Sequence, residues 1–269
     1  RTLGFILPDL ENPSYACIAK ALEQGARAHG YQLLIASSDD APASELQLLQ
    51  LFRARRCDAL FVASCLPDSN DSYRELQKGG LPIIAIDREM DATHFCSVVS
   101  DDHEASLQLT RSLLKPLPRH IALIGARPEL SISRARASGF RHALEGFKGA
   151  VMLEQGEAFS RACGLRLAGD LLERLGHLPD ALVTTSYVLL QGVFDLLQHH
   201  ALNPAHLHLG TFGDTQLLDF LPLPVNAMAQ QHHLIAEKAL ALALAAIEKN
   251  DYQPGVHAIA RTFKIGRAS

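Results

Sequence analysis

Short apolar runs alternate along the chain with longer stretches in which apolar positions recur every three to four residues. In the first part of the chain the apolar runs predict strands at 3–7, 33–36, 59–63, 83–86 and 97–99. The longer stretches predict helices between them, such as 15–29 and 44–55. Buried strands that alternate with amphipathic helices are typical of a parallel, doubly wound sheet. The pattern therefore predicts an α/β fold.

The same alternation starts again after residue 120, which predicts a second lobe of the same kind. Its strands are expected at 120–125, 150–153, 181–185 and 208–212, and its helices near 133–144, 161–174 and 189–199. A late apolar helix at 234–249 and a final strand at 257–265 return to lobes already begun. We therefore expect one lobe at 1–99 plus 229–253 and another at 100–228 plus 254–269. Several crossings between two such lobes predict a hinged pair that binds ligand in a cleft at the carboxyl ends of the strands.

Composition supports two compact lobes and excludes some classes of partner. The 269 residues are 48% hydrophobic and 20% charged, enough for a large core. The net charge of -4, without a basic run, gives no surface suited to nucleic acid. Five scattered cysteines favour buried thiols in a reducing compartment, the cytoplasm.

The chain starts at Arg1 and enters a strand almost at once, so an upstream segment is expected. Such a segment is either a signal peptide or a further domain. Within the chain itself, no apolar run is long enough for a transmembrane helix and no signal sequence stands at the start.

The turn after the first strand is a candidate ligand site. Asn12 is expected to cap the following helix, with Pro13 as its first residue and Ser14 and Tyr15 at its mouth. The free N–H groups and the positive end of the helix dipole suit an anion or a ring of sugar hydroxyls. An ordinary, well-capped strand-to-helix connection is the alternative.

Charged residues follow two other predicted elements. Asp87 and Arg88 leave a buried strand together, where a carboxylate suits sugar hydroxyls and a guanidinium suits phosphate. A local surface ion pair would explain them equally. Arg134 and Arg136 are two residues apart on a helix, so one is expected to face a ligand and the other to face solvent. A basic helix face without a ligand is the alternative.

Four segments together resemble the effector domain of LacI-family transcription regulators, over essentially the whole chain. They are the opening Leu3-Gly-Phe-Ile-Leu-Pro-Asp-Leu-Glu-Asn-Pro-Ser-Tyr15, Asp87-Arg88, Arg136-Ala-Ser-Gly-Phe140 and Gly210-Thr-Phe-Gly-Asp214. The resemblance implies the fold of periplasmic sugar-binding proteins. It also implies a set of ligand-binding positions: Asn12, Ser14, Tyr15, Asp87, Arg88, Arg136, Ser186, Phe212 and Gln230.

One departure from the family changes the expected ligand. Where the family carries a sugar-binding carboxylate, this chain has Phe212 followed by Gly213, and Asp214 comes one position later. The loss of an acid beside two arginines favours an anionic ligand, because a carboxylate repels phosphate. The stretch 210–221 also resembles a branch of the family concerned with fructose metabolism. That resemblance implies fructose 1-phosphate, with arginine and Ser14 on the phosphate and Asp87 on the hydroxyls.

The resemblance further implies a homodimer that binds DNA only through an N-terminal head, which this chain does not contain. Closure of the lobes around the ligand would then move the attached heads. The stripe Leu46, Leu49 and Phe52 is a candidate dimer surface, although such a stripe is more often core.

Other functions receive less support. Thirteen histidines lack ligand spacing, so no metal is predicted, and no cofactor is expected. No glycine-rich phosphate loop or nucleophile elbow appears, so the chain is not expected to be an enzyme. A periplasmic sugar receptor of a transporter, with its signal peptide removed, remains the alternative to a regulator.

Overall fold

The computed structural model describes residues 1–66, 71–213, 216–221 and 223–266, and it divides into two compact units. The first unit contains Arg1–Ser100 and Gln231–Ile259. The second contains Asp101–Gln230 and the chain from Ala260 onward. The chain therefore passes from one unit to the other at three points.

Strands and helices alternate through both units. The strands are β1 (Thr2–Leu7), β2 (Gln32–Ser37), β3 (Ala59–Val62), β4 (Ile83–Ile86), β5 (Cys96–Ser100), β6 (His120–Ala126), β7 (Ala150–Gly156), β8 (Ala181–Thr184), β9 (His208–Phe212), β10 (Val225–Ala229), β11 (Gly255–Ile259) and β12 (Thr262–Lys264). The helices are α1 (Pro13–Ala28), α2 (Pro42–Ala54), α3 (Asp71–Lys78), α4 (Asp102–Ser112), α5 (Ser131–Ala143), α6 (Arg161–Leu175), α7 (Tyr187–His199) and α8 (His232–Lys249), and a short 3₁₀ helix lies at Gln216–Phe220.

The first unit is a six-stranded parallel sheet in the order β11-β5-β4-β3-β1-β2. Alternate side chains of β1 enter two different cores, because successive residues of a strand point to opposite faces. Phe5 packs with Ile18 of α1 and Ile235 of α8 on one face. Ile6 packs with the side of the sheet that α2 and α3 cover. Both faces are therefore buried, as the continuous apolar runs predict.

The second unit repeats this arrangement with the strand order β12-β10-β9-β8-β6-β7. Ile124 of β6 packs toward α6 and α7, and Leu123 packs with Phe140 of α5 and Leu109 of α4. The pairing of β12 with β10 is antiparallel, while the other described pairings of this sheet are parallel. The predicted fold class, two doubly wound α/β lobes, is confirmed.

The final segment differs from its prediction. Residues 257–265 were expected to form one strand and residues 254–269 to belong to the second lobe. Instead, Gly255–Ile259 pairs with β5 in the first sheet, and Thr262–Lys264 pairs with β10 in the second. Both are short edge strands with one neighbour each and with half-buried and exposed residues only, so the sequence does not identify the sheet that each of them joins.

Four elements were not predicted: α3, α4, β10 and the 3₁₀ helix at Gln216–Phe220. The helices α3 and α4 are polar, and the short strand β10 follows a proline-rich stretch. The expectation of buried thiols is correct for four cysteines and wrong for Cys17, which lies on the exposed side of α1. Of the predicted dimer stripe, Leu49 and Phe52 are core residues, and only Leu46 is exposed. Within the described ranges, no helix combines the length and the apolar character that a membrane span requires.

Candidate functional site

The turn between β1 and α1 has the predicted capped geometry. The backbone of Asn12 is extended, and its side chain accepts a hydrogen bond from the Ser14 N–H at 3.0 Å. Pro13 opens the helix, where its missing N–H costs nothing. Tyr15 follows in the first turn and is buried. The cap therefore fixes the direction in which the Tyr15 side chain leaves the helix.

Tyr15 reaches the residue that follows β4. Its hydroxyl donates to Asp87 Oδ2 at 2.8 Å, and both side chains are buried. Burial, together with the charge of Asp87, raises the pKa of Tyr15 well above its usual value, so the phenol remains a donor. The Asp87 backbone is left-handed, with φ of 66°, a conformation that costs roughly 1–2 kcal/mol for a residue other than glycine. Such strain is often found where a side chain is held for binding.

Arg88 turns into the same unit rather than forming a surface pair with its neighbour. Its side chain is only 5% exposed, and Nη1 donates to Asp40 Oδ1 at 2.5 Å and to the Ser64 carbonyl at 3.3 Å. Burial alone would lower the pKa of Arg88, but the nearby oxygens of Tyr15, Asp40 and Asp87 raise it. The guanidinium therefore stays charged. Its buried Nε has no hydrogen-bond partner among the residues that the structure describes.

Sequence reasoning missed Asp40, which pairs with Arg88. Asp40 follows β2, and it and its neighbour Asp39 both have left-handed backbones, with φ of 55° and 51°. Because parallel strands present their carboxyl ends at one edge, β1, β2 and β4 bring the Asn12 turn, Asp40 and Asp87 to the same edge of the first sheet. The sequence did contain a signal for Asp40, because two acidic residues follow the predicted second strand in the turn Ser37-Ser-Asp-Asp40.

The second unit holds the other predicted arginine. Arg136 of α5 is 5% exposed, whereas Arg134 is exposed to solvent, as the two-residue spacing predicts. Arg136 Nη1 donates to the Thr185 carbonyl at 2.7 Å, and Nη2 lies 3.3 Å from Asp102 Oδ2. As with Arg88, the buried Nε has no hydrogen-bond partner within the described residues.

The Phe212 ring packs against this guanidinium. The ring is 2% exposed and lies 4.5 Å from the Arg136 guanidinium carbon and 5.2 Å from that of Arg261. Phe212 is therefore a platform for two cations, which is compatible with the ring quadrupole. Arg261 and Asp102 were both missed from the sequence, because they lie far from Arg136 along the chain.

The remaining predicted positions have different outcomes. Ser186 caps α7, where its hydroxyl accepts from the Leu189 N–H at 3.3 Å, and it stays half-exposed. Gln230 is buried at the end of the middle segment of the second unit. Asp214 lies outside the described residues. The structure thus gathers Asn12, Ser14, Tyr15, Asp87 and Arg88 in the first unit, and Arg136 with Phe212 in the second. Within the residues that the structure describes, no group of three or more His, Cys, Asp or Glu side chains is arranged so that it could hold a metal ion.

Each unit therefore contains a buried guanidinium, Arg88 or Arg136, whose Nε has no hydrogen-bond partner within the described residues, and such a cation suits an anionic ligand. The chain belongs to the family of periplasmic binding proteins and the sugar-binding domain of the LacI family, which matches residues 1–197. The fructose operon regulatory protein of Vibrio cholerae is 46% identical over 265 residues, which cover 98% of this chain and 81% of that protein. The catabolite repressor/activator of Escherichia coli K12 is 40% identical over 263 residues, which cover 97% and 78%.

A solved structure is more similar still. The Cra transcriptional dual regulator from Pseudomonas putida, in complex with fructose 1-phosphate, is 72% identical with a TM-score of 0.97 and covers 99% of this chain and 98% of that one. A LacI-family regulator from Enterococcus faecium with bound ribose shares the fold, with a TM-score of 0.87 at 19% identity over 100% of this chain and 98% of its own. These relatives are transcription regulators, which confirms the expectation of a non-enzyme and favours a regulator over a transport receptor.

Proposed function

We propose that this chain binds fructose 1-phosphate as the effector of a transcription regulator of sugar metabolism in the cytoplasm. The observation that carries the proposal is the pair of buried guanidiniums, Arg88 and Arg136, each with an Nε that has no acceptor within the described ranges. A buried guanidinium forms charge-assisted hydrogen bonds with phosphate or hydroxyl oxygens, and these are stronger than hydrogen bonds between neutral groups. The 72% identical Pseudomonas putida regulator in complex with fructose 1-phosphate supports the choice of ligand.

The two units divide the ligand between them in this proposal. The first unit has two carboxylates, Asp40 and Asp87, around Arg88, a set that suits sugar hydroxyls. In the second unit, the Asp102 carboxylate is shared by two guanidiniums, those of Arg136 and Arg261. The second unit is therefore the more favourable place for the phosphate. The positively polarised start of α1, with Ser14, offers further donors to either group.

Regulation follows if ligand binds residues of both units and stabilises one arrangement of them. We propose that a DNA-binding head precedes this chain in the whole regulator, as in regulators of this family. We also propose that two copies form a homodimer, so that the heads read paired half-sites. A ligand shifts such an equilibrium only by its difference in affinity for the two arrangements. The effector therefore has to bind one arrangement more tightly than the other.

Calorimetric titration with fructose 1-phosphate tests the ligand, with fructose and fructose 1,6-bisphosphate as comparisons. We expect tight binding of the monophosphate and no measurable binding of free fructose. Binding of free fructose in preference to fructose 1-phosphate would contradict the proposal and favour the alternative, a sugar receptor of a transporter.

Substitution tests the two arginines separately. Arg88→Ala and Arg136→Ala are each expected to weaken binding by roughly 1.5–3 kcal/mol, about tenfold to 150-fold, the range for hydrogen bonds to charged groups. Arg141→Ala is the matched control, because Arg141 lies exposed on the same helix as Arg136. Unchanged affinity in both site variants would refute the assignment. Sedimentation of the chain tests the homodimer independently.

A further inference from the structure

Asp102 is a buried carboxylate divided between two arginines. Its Oδ1 accepts from Arg261 Nε at 2.7 Å, and its Oδ2 lies 3.3 Å from Arg136 Nη2. The Asp102 side chain is 3% exposed, Arg261 3% and Arg136 6%. Arg136 is the weaker partner by distance. It is therefore the guanidinium that a bound anion draws away from the carboxylate at the lower cost.

Arg261 also contacts a second segment of the chain. Its Nη1 donates to the Met228 carbonyl at 3.4 Å, and its guanidinium lies over Phe212 beside that of Arg136. Met228 is in β10, which pairs with β9 and with β12. One guanidinium thus contacts a helix start, a strand and an aromatic ring.

Arg261 and its two hydrogen-bond partners, Asp102 and Met228, lie one at each of the three places where the chain passes between the units. The passages lie at 100–101, 230–231 and 259–260. Asp102 comes just after the first passage, Met228 just before the second, and Arg261 just after the third. Their mutual contacts all lie within the second unit. Arg261 therefore fastens together the second-unit ends of all three connections.

We propose that Arg261 is a positioning residue that links the ligand-binding guanidinium of Arg136, through Asp102, to the three segments that connect the units. An anion that binds Arg136 changes how the Asp102 carboxylate is divided between Arg136 and Arg261. It thereby changes how firmly Arg261 holds the three connecting segments. The inference rests on the proposed function for the identity of the anion. The contacts of Arg261 within the second unit do not depend on it.

The test compares Arg261→Met with the parent chain and with Arg141→Met as a control. Methionine keeps an apolar stem over Phe212 and leaves Asp102 paired with Arg136, so no buried carboxylate loses its only counter-ion. Hydrogen exchange of the ligand-free chain is expected to accelerate at 100–104 and 226–230 in Arg261→Met and to stay at the parent rate in the control. Affinity for fructose 1-phosphate is expected to fall about fivefold or more, since a hydrogen-bonded support is lost.

The coupling between Arg136 and the connecting segments is measured as the additional protection from hydrogen exchange that bound fructose 1-phosphate gives. In the parent chain, fructose 1-phosphate is expected to protect 100–104 and 226–230 as well as helix α5. In Arg261→Met the protection of α5 is expected to persist while that of the connecting segments is lost, an effect that general destabilisation does not produce. Arg261→Lys is expected to restore part of the affinity, because an ammonium still bonds Asp102. It also serves as the test variant if Arg261→Met does not fold.

Two results would overturn the inference: parent-like exchange at the connecting segments of ligand-free Arg261→Met, or affinity within twofold of the parent. Failure of the proposed function gives a different result. In that case the parent chain binds no fructose 1-phosphate, and accelerated exchange in ligand-free Arg261→Met still decides whether Arg261 fastens the connections.

Discussion

Replacing Glu45 with glutamine changes one atom in the interior of the first unit, and we expect a large loss of stability. Glu45 of α2 is fully buried and accepts hydrogen bonds from the hydroxyls of Ser64 and Tyr73 and from the Cys65 N–H, the last at 2.7 Å. All three partners are donors. A carboxylate satisfies all three, whereas an amide cannot: its NH2 group either faces the Cys65 N–H with a second donor or takes the place of the oxygen that accepts from the two hydroxyls, whose hydrogens then lose this acceptor.

The magnitude follows from these contacts. Hydrogen bonds to a charged group contribute about 1.5–3 kcal/mol, and a buried donor without an acceptor costs about 1–3 kcal/mol. Breaking one contact and reducing the others to neutral hydrogen bonds therefore lowers the free energy of unfolding by about 3 kcal/mol. With a urea slope of about 2–3 kcal/mol per molar, the midpoint falls by roughly 1 M.

Urea unfolding followed by far-ultraviolet circular dichroism is a suitable assay, because the chain has no tryptophan. Glu75→Gln on the exposed side of α3 makes the same chemical change outside the core and is the control. We also expect Glu45→Gln to weaken fructose 1-phosphate binding, because Ser64, which Glu45 holds, supplies the carbonyl that Arg88 contacts. A midpoint for Glu45→Gln equal to that of Glu75→Gln would refute the reasoning.

Two further predictions concern packing and pH. Gly139→Ala is expected to destabilise the second unit by about 1–3 kcal/mol, because its Cβ would lie 2.1 Å from the His103 carbonyl. Gly169→Ala, in helix α6, should stabilise slightly, because the added Cβ would meet only the Leu196 side chain at an ordinary contact distance of 3.9 Å; equal midpoints of the two variants in urea would contradict both expectations. Burial raises the pKa of Cys96 to about 11 and that of Tyr252 to about 12. Both pKa values are higher in the folded state than in the unfolded chain. The free energy of unfolding therefore keeps its full value below about pH 9 and falls as the pH rises through about 11. Urea titrations from pH 8 to 11 test this, and Cys96→Ala should flatten the decline.

Strand and helix positions were largely predictable because both sheets are buried on two faces. Continuous apolar runs then mark the strands, and β4 and β9 have the predicted limits. The polar helices α3 and α4 and the edge strands β11 and β12 lack that signal. The difference for the two helices lies in what the buried face is made of, because apolar periodicity reports only faces that are largely apolar. Helix α3 buries only Tyr73 and Leu76, and the buried face of α4 includes the polar residues Asp102, Ser106 and Thr110.

The candidate site was predictable where its residues are local. Asn12, Ser14 and Tyr15 belong to one capped turn, and Asp87 and Arg88 end one strand. Their partners were not predictable, because Asp40 and Asp102 pair with arginines 48 and 34 residues away. Long-range ion pairs leave no periodic trace in the sequence. Residue spacing alone leaves the choice between Arg134 and Arg136 open; the family resemblance selects Arg136, and the structure buries that residue.

The division of the last segment between two sheets has a consequence for biosynthesis. The edges of β5 and β10 receive their outer neighbours, β11 and β12, only after residues 101–254 have been translated. Until then both edges present N–H and C=O groups without a strand partner, which favours association with other nascent chains. The first sheet therefore receives its last strand only at Gly255–Ile259, and the second sheet follows at Thr262–Lys264. Neither unit has its full sheet until these last strands have been made, although most residues of the first unit are translated long before.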